Sequence, residues 1–183
     1  MLFRSAKEAL SGPLLIVFSD TIIGNDFSFL SGEEADGVIW VKPVPDPRRF
    51  GVTLVDQDGW ISELIEKPDD MSNNLAVVGC YYFKDAATIL SAVEEQIDKE
   101  LYLKGEFYLA DAINILLKRG LKMRVEKVDV WLDSGTPESL LETNCYLLDH
   151  GFDNSDKLTP AENTVIIPPV FIHPTAQVLQ SVI

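Results

Sequence analysis

Leu14-Leu15-Ile16-Val17-Phe18-Ser19-Asp20 is an unbroken apolar run that closes on a hydroxyl and a carboxylate. A continuous apolar run of this length predicts a central strand buried on both faces. Before it, Ser5 to Leu10 reads as the end of a helix, stopped by Ser11-Gly12-Pro13. After it, Gly37 to Lys42 predicts a second strand, and Pro43, Pro45 and Pro47 force an extended loop. Val52 to Val55 and Trp60 to Ile65 flank Asp56-Gln57-Asp58-Gly59, a hairpin signal. Leu75 to Phe83 is a longer strand. Ala86, Ile89, Leu90, Val93 and Ile97 recur at helical spacing. A second helix runs from about 107 to 119, with Leu109, Ile113, Leu116 and Leu117 on one face and Gly120 as its stop. Met123 to Val128 is a strand leading to Trp131. Thr136 is placed as an N-cap, Pro137 at the first helical position and Glu138 in the first turn, ahead of Leu140, Leu141, Asn144, Leu147 and Leu148. Strands alternating with helices predict an α/β fold with a mostly parallel sheet.

The pattern changes after Gly151-Phe152-Asp153-Asn154-Ser155, a polar linker. Ile166, Ile172 and Val178 repeat every six residues, as do Val170, Ala176 and Val182. That period is the signature of a hexapeptide β-helix, in which each coil buries its face against the next. A single edge strand with chance spacing is the plainer alternative. The organisation expected is a first domain over 1–150, a linker over 151–163 and the start of a β-helix over 164–183.

The 183 residues are 46% hydrophobic and 24% charged, ordinary globular composition. The formal net charge is -14, from 29 acidic and 15 basic residues. Nucleic acid and anionic membrane both need a basic surface, so neither is expected as a partner. Cys80 and Cys145 stand without CxxC spacing, and His150 and His173 stand alone, which argues against a disulfide framework or a zinc site. No apolar run approaches the roughly 20 residues of a membrane span, and Met1 to Leu10 lacks a signal-peptide core. A cytoplasmic protein is expected.

The charged groups then fall into a pattern. Asp20 and Asp133 each end a strand, the edge where open α/β sheets bind ligands. Glu66-Lys67-Pro68 ends another, and Trp131-Leu132-Asp133-Ser134-Gly135-Thr136 carries the second aspartate. Such residues suit attack by a sugar 1-phosphate oxygen on the α-phosphorus of a nucleoside triphosphate, with loss of pyrophosphate. The nucleophile is already an anion, so the protein's task is to align two polyanions and neutralise their charge. Asp20 and Asp133 are candidate ligands for a divalent metal. Lys67 supplies a point charge to the sugar phosphate, and Glu66 accepts from sugar hydroxyls. Gly51 and Gly79 let the backbone approach a ligand closely.

From about Pro13 to Leu148 the chain resembles the later two-thirds of the sugar-phosphate nucleotidyltransferases, glucose-1-phosphate thymidylyltransferase type. Ser19-Asp20 stands where that family has a Gly-Asp that binds magnesium. Phe50-Gly51-Val52 resembles its Tyr/Phe-Gly-Val step, and Glu66-Lys67-Pro68 its sugar and phosphate clamp. Asn74 to Gly79 with Tyr81 resembles its next sugar-contacting strand, with Val77 at the contact position. Gly105-Glu106 followed by Asp111 and the Trp131 to Thr136 motif complete the resemblance. It implies a partial, Rossmann-like nucleotidyltransferase sheet, Mg2+ held by Asp20 and Asp133, and nucleotidyl transfer to a sugar 1-phosphate, dTDP-glucose type. Asp20, Asp133 and Lys67 are the candidate catalytic residues; Gly51, Glu66, Lys67, Val77, Gly79 and Trp131 are the candidate substrate-binding ones. The family's opening Gly-x-Gly-Thr-Arg-Leu loop has no counterpart here, so the expectation is an N-terminally truncated chain, inactive alone. The tail resembles the left-handed β-helix of longer members, which leaves a homo-oligomer open.

Each feature also has a structural reading. Asp20 could close a turn, Glu66-Lys67-Pro68 could be solvated loop, and Trp131 could be core with Asp133 capping a helix. Glu106 and Asp111 read as helix-terminus carboxylates, and Gly51 and Gly79 as turn and bulge positions. The competing functions are a non-catalytic sugar-phosphate-binding regulatory homologue and a hexapeptide-repeat acyltransferase, for which His173 is the lone candidate base.

Overall fold

β1 (Leu14–Val17), β2 (Thr21–Gly24), β3 (Gly37–Pro43), β4 (Gly51–Val55), β5 (Ile61–Glu66) and β6 (Leu75–Phe83) come first. α1 (Ala86–Asp98), α2 (Leu109–Lys118), β7 (Met123–Lys127), β8 (Val130–Asp133) and α3 (Pro137–Leu147) follow. This computed structural model describes residues 5–102 and 105–183. The chain divides into two compact units, Met1–Trp131 and Leu132–Ile183. The sequence reading drew its boundary later, at 150.

In the first unit a six-stranded sheet runs in the order β5-β4-β6-β3-β7, with β1 also paired to β6. The expectation of a mostly parallel sheet is corrected here. β1, β3 and β4 all pair β6 antiparallel, β4 pairs β5 antiparallel, and β3 with β7 is the parallel pair. A parallel pair needs a long crossover. Helices intervene between paired strands once in this sheet, as α1 and α2 on the way to β7, while short loops join β4 to β5 and β5 to β6. The result is a mixed α/β sheet.

β1 is also not a strand buried on both faces. Ile16 is buried, but Leu15, Val17 and Phe18 are 43%, 46% and 44% exposed. The central strand is β3, where Val38, Ile39, Trp40 and Val41 are fully buried. Ile39 and Val41 face one core with Ile89, Val93, Ile113, Leu116 and Met123. Val38 and Trp40 face a second core with Val78, Cys80 and Tyr82, backed by Phe27 and Phe29. Period-2 alternation thus sends neighbouring residues of one strand into opposite cores. The expected helix end before β1 is a single tight turn over Lys7–Ala9. Asp85 caps α1 by accepting from the Ala87 N–H at 3.0 Å.

In the second unit Thr136 caps α3 as expected. Its Oγ1 accepts from the Ser139 N–H at 3.2 Å, and Ser139 Oγ in turn accepts from the Thr136 N–H at 3.1 Å. Leu140 and Leu141 of this helix are exposed. Asn154 clasps the tail, donating to the Ile172 carbonyl at 2.9 Å and accepting from the Ile172 N–H at 3.0 Å. Ile166, Ile172 and Val178, the six-residue series, all line one cavity of about 210 Å³. A parallel bridge joins Val165 to Val182. Among the described residues this tail holds no longer strand than that bridge.

Candidate functional site

The ends of β4, β5 and β6 in the first unit bring three of the candidate residues together. Gly51 opens β4 directly opposite Glu66, the last residue of β5. A Cβ added to Gly51 would sit 3.1 Å from Glu66 Oε2 and 4.0 Å from Val77 Cγ2. The absence of a side chain at 51 therefore leaves open the space between a carboxylate and an apolar surface. The next residue, Lys67, holds a left-handed backbone with φ 47° and donates its N–H to the Phe50 carbonyl at 3.0 Å. A non-glycine residue there is strained by about 1–3 kcal/mol, and such strain clusters at functional sites. Asn114 of α2 holds the strand just before this corner. It donates to the Leu64 carbonyl at 2.7 Å and accepts from the Leu64 N–H at 2.8 Å.

The Lys67 ammonium is exposed and faces the start of α2. It donates to the Tyr108 hydroxyl at 3.4 Å and lies 5.2 Å from the centre of that ring. The Tyr108 hydroxyl donates onward to Glu106 Oε2 at 2.8 Å. These contacts hold the lysine's proton more tightly than usual, Tyr108 being the largest cause. Glu66 too holds its proton more tightly than an ordinary carboxylate. Burial raises its pKa, Lys67 opposes the rise, and Asp111 and Glu106 reinforce it. Burial also raises Asp111, in the first turn of α2. Behind Glu66 the buried Tyr81 hydroxyl is driven up by burial and by the Glu66 charge.

Gly79 sits where β6 bulges against β3, between the pairs Val41↔Val77 and Ile39↔Tyr81. Its φ is 80°, and an added Cβ would lie 2.7 Å from Phe18 Cδ2 and 3.1 Å from Thr21 Oγ1. Its carbonyl accepts the Phe18 N–H at 2.9 Å. That contact seats the turn carrying Asp20, closed by the Thr21 N–H to the Phe18 carbonyl at 3.1 Å. The Asp20 side chain is exposed and makes no hydrogen bond among the described residues. Trp131 packs edge-on against Phe50, ring centres 5.0 Å apart, so it reaches the Gly51 corner through that ring. Its indole N–H is buried without a partner among the described residues. Asp133 belongs to the second unit, where its Oδ1 accepts the Gly135 N–H at 2.9 Å. Among the described residues no group of three or more His, Cys, Asp or Glu could by itself hold a metal ion.

The residue that sequence reasoning missed is Tyr108. It falls in a stretch read as the start of a helix, whereas its backbone is extended and the helix begins at Leu109. Glu66 supplies a test of this geometry. A carboxyl whose folded pKa is raised contributes stability that is present at low pH and lost as pH climbs through the folded value. Glu66→Gln is therefore expected to raise the melting temperature at pH 7, with the gain shrinking as pH falls toward the carboxylate range. The same change should weaken binding of a polyhydroxyl ligand about tenfold, one charge-assisted hydrogen bond. Thermal melts across pH, beside calorimetric titration, check both.

A family described as nucleotidyl transferase matches residues 3–150. The low-salt glycan biosynthesis nucleotidyltransferase Agl11 of Haloferax volcanii is 37% identical over 123 residues, covering 67% of this chain and 33% of that protein. The bifunctional protein GlmU of Methanocaldococcus jannaschii is 34% identical over 165 residues, covering 89% of this chain and 38% of that protein. A solved structure of a putative glucose-1-phosphate thymidylyltransferase from Bacillus anthracis, in complex with a sucrose, superposes with a TM-score of 0.64 at 26% identity. That superposition covers 78% of this chain and 58% of the other. The chain thus spans about a third of the length of these curated relatives.

Proposed function

We propose that this chain, which belongs to the nucleotidyl transferase family, carries the sugar 1-phosphate side of a site that transfers a nucleotidyl group from a nucleoside triphosphate, releasing pyrophosphate. The observation that carries this reading is the corner at Gly51, Glu66 and Val77, with the Lys67 ammonium beside it. A sugar has hydroxyls for a carboxylate to accept and an apolar ring face for a valine to touch. Its phosphate needs a cation, and Lys67 is exposed to meet one.

In the transfer, a phosphate oxygen of the sugar 1-phosphate bonds to the α-phosphorus, and the bond from that phosphorus to the pyrophosphate oxygen breaks. No proton moves from the nucleophile, so none of these residues need act as a base. Glu66 and Gly51 orient the sugar, Lys67 places the attacking phosphate, and Phe50 with Trp131 walls the corner. Orientation of this kind is worth several orders of magnitude in rate. Magnesium takes hard oxygen donors, and the donor sets fit it. The Asp20 carboxylate has no hydrogen-bond partner among the described residues, and Asp133 has one oxygen engaged. Asp20 in the first unit and Asp133 in the second are each offered as an oxygen donor to such an ion, which when bound would neutralise phosphate charge.

For the substrates we take glucose 1-phosphate and a thymidylyl group as the working pair, supported by the name of the Bacillus anthracis structure. On this reading the chain works in the cytoplasm, beside its nucleotide pool. Residues 164–183 then begin a left-handed hexapeptide coil, supported by the parallel Val165–Val182 bridge and the shared cavity of Ile166, Ile172 and Val178. The test is isothermal titration with glucose 1-phosphate and with dTDP-glucose, each with and without magnesium. Expected is binding of the nucleotide sugar that depends on magnesium and is lost in Asp133→Asn and in Asp20→Asn. A chain that is folded by circular dichroism yet binds neither ligand would overturn the proposal.

A further inference from the structure

Lys67 stands on one side of the proposed corner, and a lysine side chain free in solvent visits many rotamers. Here it does not stand free. Tyr108 lies 41 positions away in sequence, yet its hydroxyl accepts from Nζ and its ring lies beneath the same ammonium. A hydroxyl has one proton to give and lone pairs to accept with. Tyr108 gives that proton to Glu106, which leaves its lone pairs turned to Lys67. The tyrosine backbone is pinned in turn. Gln96, fully buried on α1, donates to the Tyr108 carbonyl at 2.9 Å.

Resting on the proposed function, we propose that Tyr108 is a positioning residue, its hydroxyl holding the Lys67 ammonium in place for the sugar phosphate, braced by Glu106 and by Gln96. An ammonium has three donors, so one spent on Tyr108 leaves others for phosphate oxygens. Ordering the side chain beforehand removes part of the entropy that ligand binding would otherwise have to meet. The raised pKa of Lys67, with Tyr108 as its first cause, agrees with that contact.

The experiment reads lysine motion directly. Carbon-13 relaxation at Cε is measured on the whole chain labelled at lysine, with the Lys67 signal assigned by its loss in Lys67→Arg. Expected is a higher order parameter for Lys67 than for the exposed Lys118 and Lys127, falling to their level in Tyr108→Phe, which keeps the ring and loses the hydroxyl. Binding of glucose 1-phosphate should weaken about three- to tenfold in the same variant, the entropy of one long side chain. Glu106→Ala removes the brace from the far side and should loosen Lys67 as well, which keeps the test open if Tyr108→Phe misfolds. A Lys67 as mobile as Lys118 in the unaltered chain would overturn the inference. So would a Lys67 that stays ordered in both variants. If Lys67 loosens as expected but the unaltered chain binds neither glucose 1-phosphate nor inorganic phosphate, the positioning stands and the sugar-phosphate reading falls.

Discussion

Gly79→Ala is expected to lower the stability of the first unit by about 2–5 kcal/mol, from about 1–2 for an alanine forced left-handed and about 1–3 for overpacking. Both contributions follow from the bulge in β6. At φ 80° an L side chain is disfavoured whatever the space around it, and the space is taken. The new methyl would stand 2.7 Å from Phe18 Cδ2, inside any real contact distance. The Phe18 backbone is tied by its N–H to the Gly79 carbonyl, so relief must come from turning the half-exposed ring, which gives up its packing 5.8 Å from that of Tyr81. A loss of this size is a large share of the roughly 5–15 kcal/mol that holds a typical domain. Urea denaturation followed by tryptophan fluorescence measures it. Pairing the change with Phe18→Ala separates the two causes. With the ring gone, Gly79→Ala should cost the backbone share and the milder crowding against Thr21 Oγ1 at 3.1 Å. A loss below about 0.5 kcal/mol in the single variant, the range of an ordinary surface change, would show that the bulge is not a constrained position. The site would be affected along with the fold, since the same bulge seats the turn that carries Asp20.

The legible parts of this chain are those whose signal is local. Leu75 to Phe83 was bounded to the residue, because branched and aromatic residues fill it and polar residues end it on both sides. Thr136 with Pro137 fixed the start of α3 for the same reason. What the sequence could not carry is which faces other elements cover. Leu14 to Phe18 and Val38 to Val41 are both runs of apolar residues, yet only the second lies between two cores. Strand direction failed in the same way. It depends on where crossovers fall, and α1 with α2 form a single crossover. At the site, Glu66-Lys67-Pro68 stood out as a motif of the family the chain resembles, and Glu66 is the last residue of β5. Tyr108 was hidden because its partner lies far away in the chain, joined through a loop that Gln96 pins. Of the two six-residue series in the tail, Ile166, Ile172 and Val178 are half-buried around one cavity, while Ala176 and Val182 of the other are exposed, because a period states spacing and not what covers each face.

Lys67→Ala is expected to weaken glucose 1-phosphate binding about ten- to a hundredfold, the range for removing one charge-assisted hydrogen bond. The chain's formal net charge is -14, so an anionic ligand meets general repulsion and depends on the few cations placed to receive it. Because the ammonium is exposed, its attraction is screened by salt. The unaltered chain should therefore lose affinity as potassium chloride rises from low to physiological strength, and Lys67→Ala should lose much less. Lys67→Arg keeps the charge but brings a planar fork in place of a compact ammonium, and should recover only part of the affinity. Fold and function can be pulled apart at this residue. Its φ of 47° is one that glycine adopts freely, so Lys67→Gly relieves backbone strain while removing the charge. That variant should melt no lower than Lys67→Ala and bind no better. Calorimetric titration at low and high salt, with thermal melts of each variant, reads every arm. Binding by Lys67→Ala within about twofold of the unaltered chain, less than half a kcal/mol, would remove Lys67 from the site. Lys67 would then not be the cation that meets a phosphate at the corner of Gly51, Glu66 and Val77, and an uncharged sugar would become the better ligand for it.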